Sequence, residues 1–176
     1  MKTLKLLFVI IPVVAFFSCD KKEVSQEESQ SKVEQYVKLL KSNKYESLGF
    51  PAFTYDDIDE LIKYRNEGDM ITNYPRNPIS SFYQMKCKLG MIILWTIESI
   101  RTGSIKSESW IGCFPSQNPI LKSRNSETLI FVDNDEANQT ASDAYYKWWR
   151  LRGLTGASFN TWLKTDPLEN TKYAWH

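Results

Sequence analysis

Histidine is all but missing from this chain. The only one is His176, the last of 176 residues. Its scarcity removes the commonest acid–base group from catalysis. It also leaves no HExxH pair and no Cys/His cluster with zinc spacing. Glycine-rich phosphate and dinucleotide fingerprints are absent as well. Residues 156–160, Gly-Ala-Ser-Phe-Asn, break a nucleophile elbow at the last position, and a serine hydrolase would still need a histidine base. The run Asp133-Asn134-Asp135-Glu136-Ala137-Asn138 opens like a calcium loop. It then places Ala137 where the third ligand belongs and lacks the glycine that follows, so it reads as a turn and helix cap. Glycosidase carboxylate pairs leave no local signature, so that one enzyme class stays open. No metal and no cofactor is expected.

Charge of one sign is lacking too. The chain has 22 basic and 21 acidic residues with no basic block. That balance argues against nucleic acid as a partner and against electrostatic docking to an anionic membrane. Long apolar runs are short of the roughly 20 residues a membrane-spanning helix needs. Past position 17 the longest is Leu89–Trp95. Aromatics, by contrast, are abundant: nine Phe, nine Tyr and six Trp, too many for a disordered chain.

The N-terminus is distinctive. Lys2 and Lys5 precede an uncharged stretch from Leu6 to Phe17, about 18 Å of helix against a bilayer core of roughly 30 Å. A charged start, a short apolar run and the small residue Ser18 describe a secretory signal. Phe16-Phe17-Ser18-Cys19 resembles the signal of bacterial lipoproteins, in the looser form of Bacteroidetes. Ser18 and Cys19 match the pattern, while Phe16 and Phe17 are bulkier than its usual pair. The resemblance implies cleavage between Ser18 and Cys19 and lipid attachment, palmitate included, at Cys19. One acyl chain holds weakly, at about 0.8 kcal/mol per buried CH₂, whereas the three of this pattern hold permanently. Residues 20–31 contain a single apolar side chain, Val24, and read as a solvated tether. The expected location is the cell envelope, on the outer membrane. Asp20 is followed by Lys21, Lys22 and Glu23, a mixed charge that leaves the surface and periplasmic faces undecided.

Residues 32–176 read as one domain. Ser31 and Glu34 fit a capping box ahead of Val33, Tyr36, Val37 and Leu40, one face of a helix ending near Asn43. Thr54 and Asp57 repeat the cap before a helix that Gly68 should close. Its acids Asp56, Asp57, Asp59 and Glu60 suit a helix dipole better than a metal. Pro75 and Pro78 mark an ordered loop and a candidate functional surface. Residues 86–101 predict the central buried helix, with Gly90 hinting at a closely packed neighbour. Residues 109–114 and 128–132 are candidate short strands. Residues 136–152 predict another long helix, followed by a shorter one at 158–164 and a tail. The fold expected is mostly α, an irregular bundle or HEAT-like stacked helix pairs over 54–101 and 136–165, with room for a small β-hairpin at 109–132. Cys87 and Cys113 remain as an even pair. In an oxidising compartment a bond between them would add roughly 3–4 kcal/mol; two separately buried thiols fit equally well.

Pro51-Ala52-Phe53, the run Pro75-Arg76-Asn77-Pro78-Ile79-Ser80-Ser81 and the segment Leu94–Arg101 resemble exported Bacteroidetes lipoproteins carrying a domain of unknown function. The resemblance implies location and fold and brings no activity. The leading functional expectation is a membrane-tethered protein-interaction or structural module without catalysis, held by its N-terminal lipid and meeting an unknown envelope protein. The alternative is glycan binding through C-terminal aromatics, with Tyr146, Trp149, Trp162 and Trp175 as stacking candidates. Joint exposure of Tyr146 and Trp149 would favour the alternative.

Overall fold

In the computed structural model, residues 30–82, 84–109 and 112–176 are described. Ser18, Cys19 and the tether up to residue 29 lie outside them. Helix α1 spans Lys32–Lys41, and the Ser31/Glu34 capping box forms in both directions. Val33, Tyr36, Val37 and Leu40 are its buried face. The Thr54/Asp57 box also forms, but the helix behind it is broken. A 3₁₀ turn at Tyr55–Asp57 leads into α2 (Ile58–Leu61) and a second 3₁₀ turn at Ile62–Tyr64. Gly68 therefore lies beyond the helix it was expected to close.

Helix α3 (Leu89–Thr102) is the centre of the molecule. Every residue from Leu89 to Ile100 is buried. Gly103, at φ 75°, ends it in the left-handed conformation. Gly90 sits against backbone: an added Cβ would overlap the carbonyl oxygen of Arg65 and lie 3.2 Å from that of Glu67. Helix α4 (Asp135–Arg150) is capped by the Asn134 side chain, which accepts from the Ala137 N–H. The short α5 (Phe159–Leu163) is capped in the same way by Ser158.

The expectation of a mostly α bundle or HEAT-like stack is overturned. Two small antiparallel sheets make the fold mixed α/β. Strand β1 (Met70–Ile71) pairs with β2 (Cys87–Lys88), which takes the first residues expected to be helical. The second sheet has the order β4-β3-β5, with β3 (Leu121–Ser123) between β4 (Phe131–Val132) and β5 (Tyr173–Trp175). Strands β3 and β4 supply the antiparallel pair inside 109–132, and the described residues of 109–114 form no strand. The C-terminal segment, expected as a tail, returns to pair Tyr173 with Ser123 and Trp175 with Leu121. A pairing between residues some fifty positions apart leaves no trace in local periodicity, which is why a helical reading missed it.

One core joins these parts. It runs from α1 through α3 to Tyr145, Trp148 and Trp149 of α4, Trp162 and Leu163 of α5, and Leu168 and Tyr173 beyond.

Candidate functional site

Helix α3 carries a carboxylate, Glu98, into this core. Arg101 grips it with two charge-assisted bonds, Nε to Oε2 at 2.7 Å and Nη2 to Oε1 at 2.5 Å. The Tyr145 hydroxyl donates to the same Oε2 at 2.5 Å and accepts from Trp175 Nε1 at 2.7 Å. Arg101 Nη1 reaches the carbonyls of Leu163 and Thr165 at 3.2 and 3.3 Å. The chain Trp175–Tyr145–Glu98–Arg101 thus ties α3, α4, α5 and β5 together. Burial, reinforced by the Glu98 charge, raises the Tyr145 pKa well above its ordinary value. Burial opposes the Arg101 charge, but Glu98 outweighs it and the guanidinium pKa rises. Both carboxylate oxygens are committed to protein donors. We read the network as a structural tie.

The four stacking candidates do not assemble into a platform. Trp149 and Trp162 are each only 4 % exposed. Trp149 Nε1 donates to Asp59 at 2.6 Å, and the Arg152 guanidinium lies 4.1 Å from a ring centroid of Trp149. Trp162 stacks on Trp148, with centroids 4.2 Å apart and planes at 15°. Trp175 is half-buried and engaged with Tyr145. Tyr146 is 39 % exposed but carries the Arg65 guanidinium 4.1 Å from its ring centroid. Tyr146 and Trp149 are therefore not exposed together.

A groove of about 490 Å³ lies between α4, α5 and residues 165–171. Its floor includes Trp148 and Trp162, whose faces stack on each other, and Lys147, Asp166, Glu169 and Asn170 stand on its walls. Asp166 is tied to Arg124 at 2.5 Å, which leaves Glu169 as the other carboxylate there. A second groove of about 220 Å³ is lined by Arg65, Glu67, Lys88, Asp135 and Asn138. Arg65 Nε and Asn138 Nδ2 are buried there without partners, but Glu67 and Asp135 flank them, a poor setting for an anion. Glu67 is itself paired with Lys41 at 2.8 Å, and Asp135 with Lys88.

A third groove, about 240 Å³, is formed by the proline loop with Leu48, Phe82, Trp95 and Asn118. Large apolar side chains are exposed near it. Ile79, Phe82 and Met85 are exposed on one segment, and Leu129 and Ile130 on another. The two segments run together: Phe82 packs on Phe131 at 4.6 Å, Gln84 donates to Asp133, and Lys88 bonds Asp135. Asn77 Nδ2 reaches the Ser116 carbonyl and Ser80 reaches Asn118, so hydrogen bonds hold the proline loop in place. The prolines signalled this loop in the sequence. The exposed Leu129 and Ile130 carried no such signal, because an apolar run reads as core.

Cys87 is a buried thiol facing the Pro119 carbonyl, and burial pushes its pKa up. Cys113 is half-buried at the turn near Ser109. Among the described residues no group of three His, Cys, Asp or Glu side chains could hold a metal. Asn134 and Asp135 serve α4 as cap and first turn. His176 contacts Asn118 and packs edge-on against Phe131, and burial lowers its pKa. No helix of the described residues is long and apolar enough to cross a membrane.

These features define a small mixed α/β domain with a tied core and an apolar face beside an ordered loop. The chain belongs to the family described as a domain of unknown function (DUF4943), which it matches over residues 27–176. No curated protein and no solved structure matches it.

Proposed function

We propose that this chain is a membrane-tethered envelope lipoprotein of the Bacteroidetes type, acting as a protein-interaction module and not as a catalyst. Signal cleavage after Ser18 and palmitate-bearing lipid on Cys19 would hold it to a membrane, the outer membrane in this reading. The observation that carries the interaction role is the apolar face of Ile79, Phe82, Met85, Leu129 and Ile130 around the proline loop. Clustered large side chains of this kind are what protein partners bury. The buried Glu98 and Arg101 support a structural use of the charged groups in the core.

The test places a photo-crosslinking residue at Met85 or Leu129 in cells, with Leu39 on α1 as the control. A discrete envelope-protein adduct from the first two, and none from Leu39, is expected. Equal adducts at all three positions, or none at Met85 and Leu129, would overturn the reading. For the anchor, Cys19→Ala should abolish palmitate labelling, and unchanged labelling refutes it. The mixed polar and apolar walls of the groove between α4 and α5 favour glycan binding as a second reading. Screening the chain without residues 1–31 on a glycan array decides between the two readings, with no binding expected.

A further inference from the structure

The loop joining α4 to α5 has a composition unlike the rest of the molecule. From residue 147 to 164 the chain carries Lys147, Arg150, Arg152 and Lys164 and no acidic residue, although the whole chain is nearly neutral. Lys106 adds a cation from the 3₁₀ turn after α3. Its ammonium lies 5.3 Å from the Tyr55 ring centroid, and Tyr55 packs edge-on against Phe159. Within this basic frame Leu151, Leu154 and Phe159 are exposed, Leu154 at 75 %. Gly153 and Gly156 flank Leu154 at φ 76° and 71°, turns that glycine adopts readily and other residues resist.

Three acids packed on this side are bound within the fold, while Asp56 and Glu169, which shares a groove with Lys147 and Leu151, are exposed. Asp59 pairs with Arg152 and accepts from Trp149. Asp57 pairs with Lys32, and Glu60 accepts from Ser31. Lys147, Arg150, Lys164 and Lys106 stay exposed at the surface.

The tether leaves the fold beside the same loop. Ser31 bonds Glu60, and the adjacent Asp59 bonds the base of the loop at Arg152. The stretch from Cys19 to Ser31 would span about 20 Å as a flexible coil and about 40 Å fully extended. A domain anchored at Cys19 therefore keeps its α2 side close to the lipid at a high effective concentration.

We infer that the 151–159 loop seats on an anionic bilayer. Leu154 and Phe159 enter the boundary between headgroups and acyl chains, while Lys106, Lys147, Arg150 and Lys164 meet the headgroups. The balance of charge along the whole chain conceals this surface, because four cations fall in one acid-free stretch and folding sets Lys106 beside Tyr55, which packs on Phe159. The inference rests on the lipid anchor proposed above, which brings the loop to the membrane, but its test needs no lipid on the protein.

The unlipidated chain from Asp20 to His176 keeps every core residue and is floated with vesicles. One set is roughly three parts phosphatidylethanolamine to one part phosphatidylglycerol, the other phosphatidylcholine alone. Co-flotation with the anionic set is expected, with affinity at least about tenfold weaker on the neutral set. Leu154→Glu and Arg150→Glu should each weaken binding about fivefold or more, with the thermal midpoint unchanged. Leu129→Glu, on the proline-loop face, should leave binding intact. Failure to co-float, or equal loss from Leu129→Glu, overturns the inference. Cell fractionation of Cys19→Ala separates the two ideas. If the variant is released while the soluble chain does not float, the anchor stands and this surface falls.

Discussion

Glu98→Gln tests whether the buried ion pair is a structural tie. In the native protein the side chains of Glu98 and Arg101 are 8 % and 10 % exposed, and the carboxylate accepts two bonds from Arg101 and one from Tyr145. A glutamine fills the same volume but has one acceptor oxygen and one donor nitrogen. If the oxygen stays with Tyr145 and Arg101 Nε, the new NH₂ faces Arg101 Nη2, donor against donor. The reverse orientation sets it against Tyr145. Either way a buried guanidinium loses its counter-charge, which typically costs about 3–5 kcal/mol. At roughly 2–4 °C per kcal/mol for a domain of this size, the thermal midpoint should fall by about 6–20 °C. The double change Glu98→Leu with Arg101→Met should cost less than Glu98→Gln alone, because well-packed apolar groups replace a buried pair at little net cost. Urea titrations of wild type, Glu98→Leu, Arg101→Met and the double give the coupling energy. A Glu98→Gln cost below about 1 kcal/mol would refute a tie.

Two further outcomes follow from the packing. Gly90→Ala should destabilise by about 1–3 kcal/mol, where helix propensity alone predicts a gain of about 1 kcal/mol; a raised thermal midpoint would contradict the close approach of the Arg65 carbonyl. Alkaline pH should unfold the protein. The tyrosines Tyr36 and Tyr145 are held neutral well above their ordinary value of 10.0, Tyr45 is pushed up to about 12, and burial is the first cause for all three. Their folded pKa values are raised, so the stability they contribute is full below pH 10. It declines as pH rises through the window up to the folded values, by about 1.4 kcal/mol per pH unit for each group. Urea midpoints that stay level between about pH 8 and pH 11 would refute this.

Local signals proved legible, and long-range ones did not. The Ser31/Glu34 box and the Val33, Tyr36, Val37, Leu40 face could be read from spacing alone, because each involves residues within one or two turns. Gly90 announced its neighbour because a glycine in an otherwise apolar helix needs a reason. The Thr54/Asp57 box was equally visible, but the helix behind it breaks into 3₁₀ and α pieces, which a cap does not foretell. Glu98 gave no local signal, because Tyr145, which donates to it, lies on another helix, and Trp175, which donates to Tyr145, lies on a strand. The C-terminal tryptophans left open a stacking surface as the alternative to helix packing, and they meet each other and Asp59. Aromatic content fixes neither outcome, since burial against a helix and exposure to a ligand draw on the same residues.

Strand β5 also bears on where the chain can be extended. The central strand β3 receives Trp175 opposite Leu121, and the His176 carbonyl accepts from the N–H of Gln117 at 2.7 Å. Trp175 completes the hydrogen bonding of Tyr145 as well. Tyr173 is itself part of the core, so the last strand is a wall of the folded domain and not an appendage. A reporter fused after His176 would crowd this closing seam, whereas one placed before Gln30, which is exposed, adjoins no sheet.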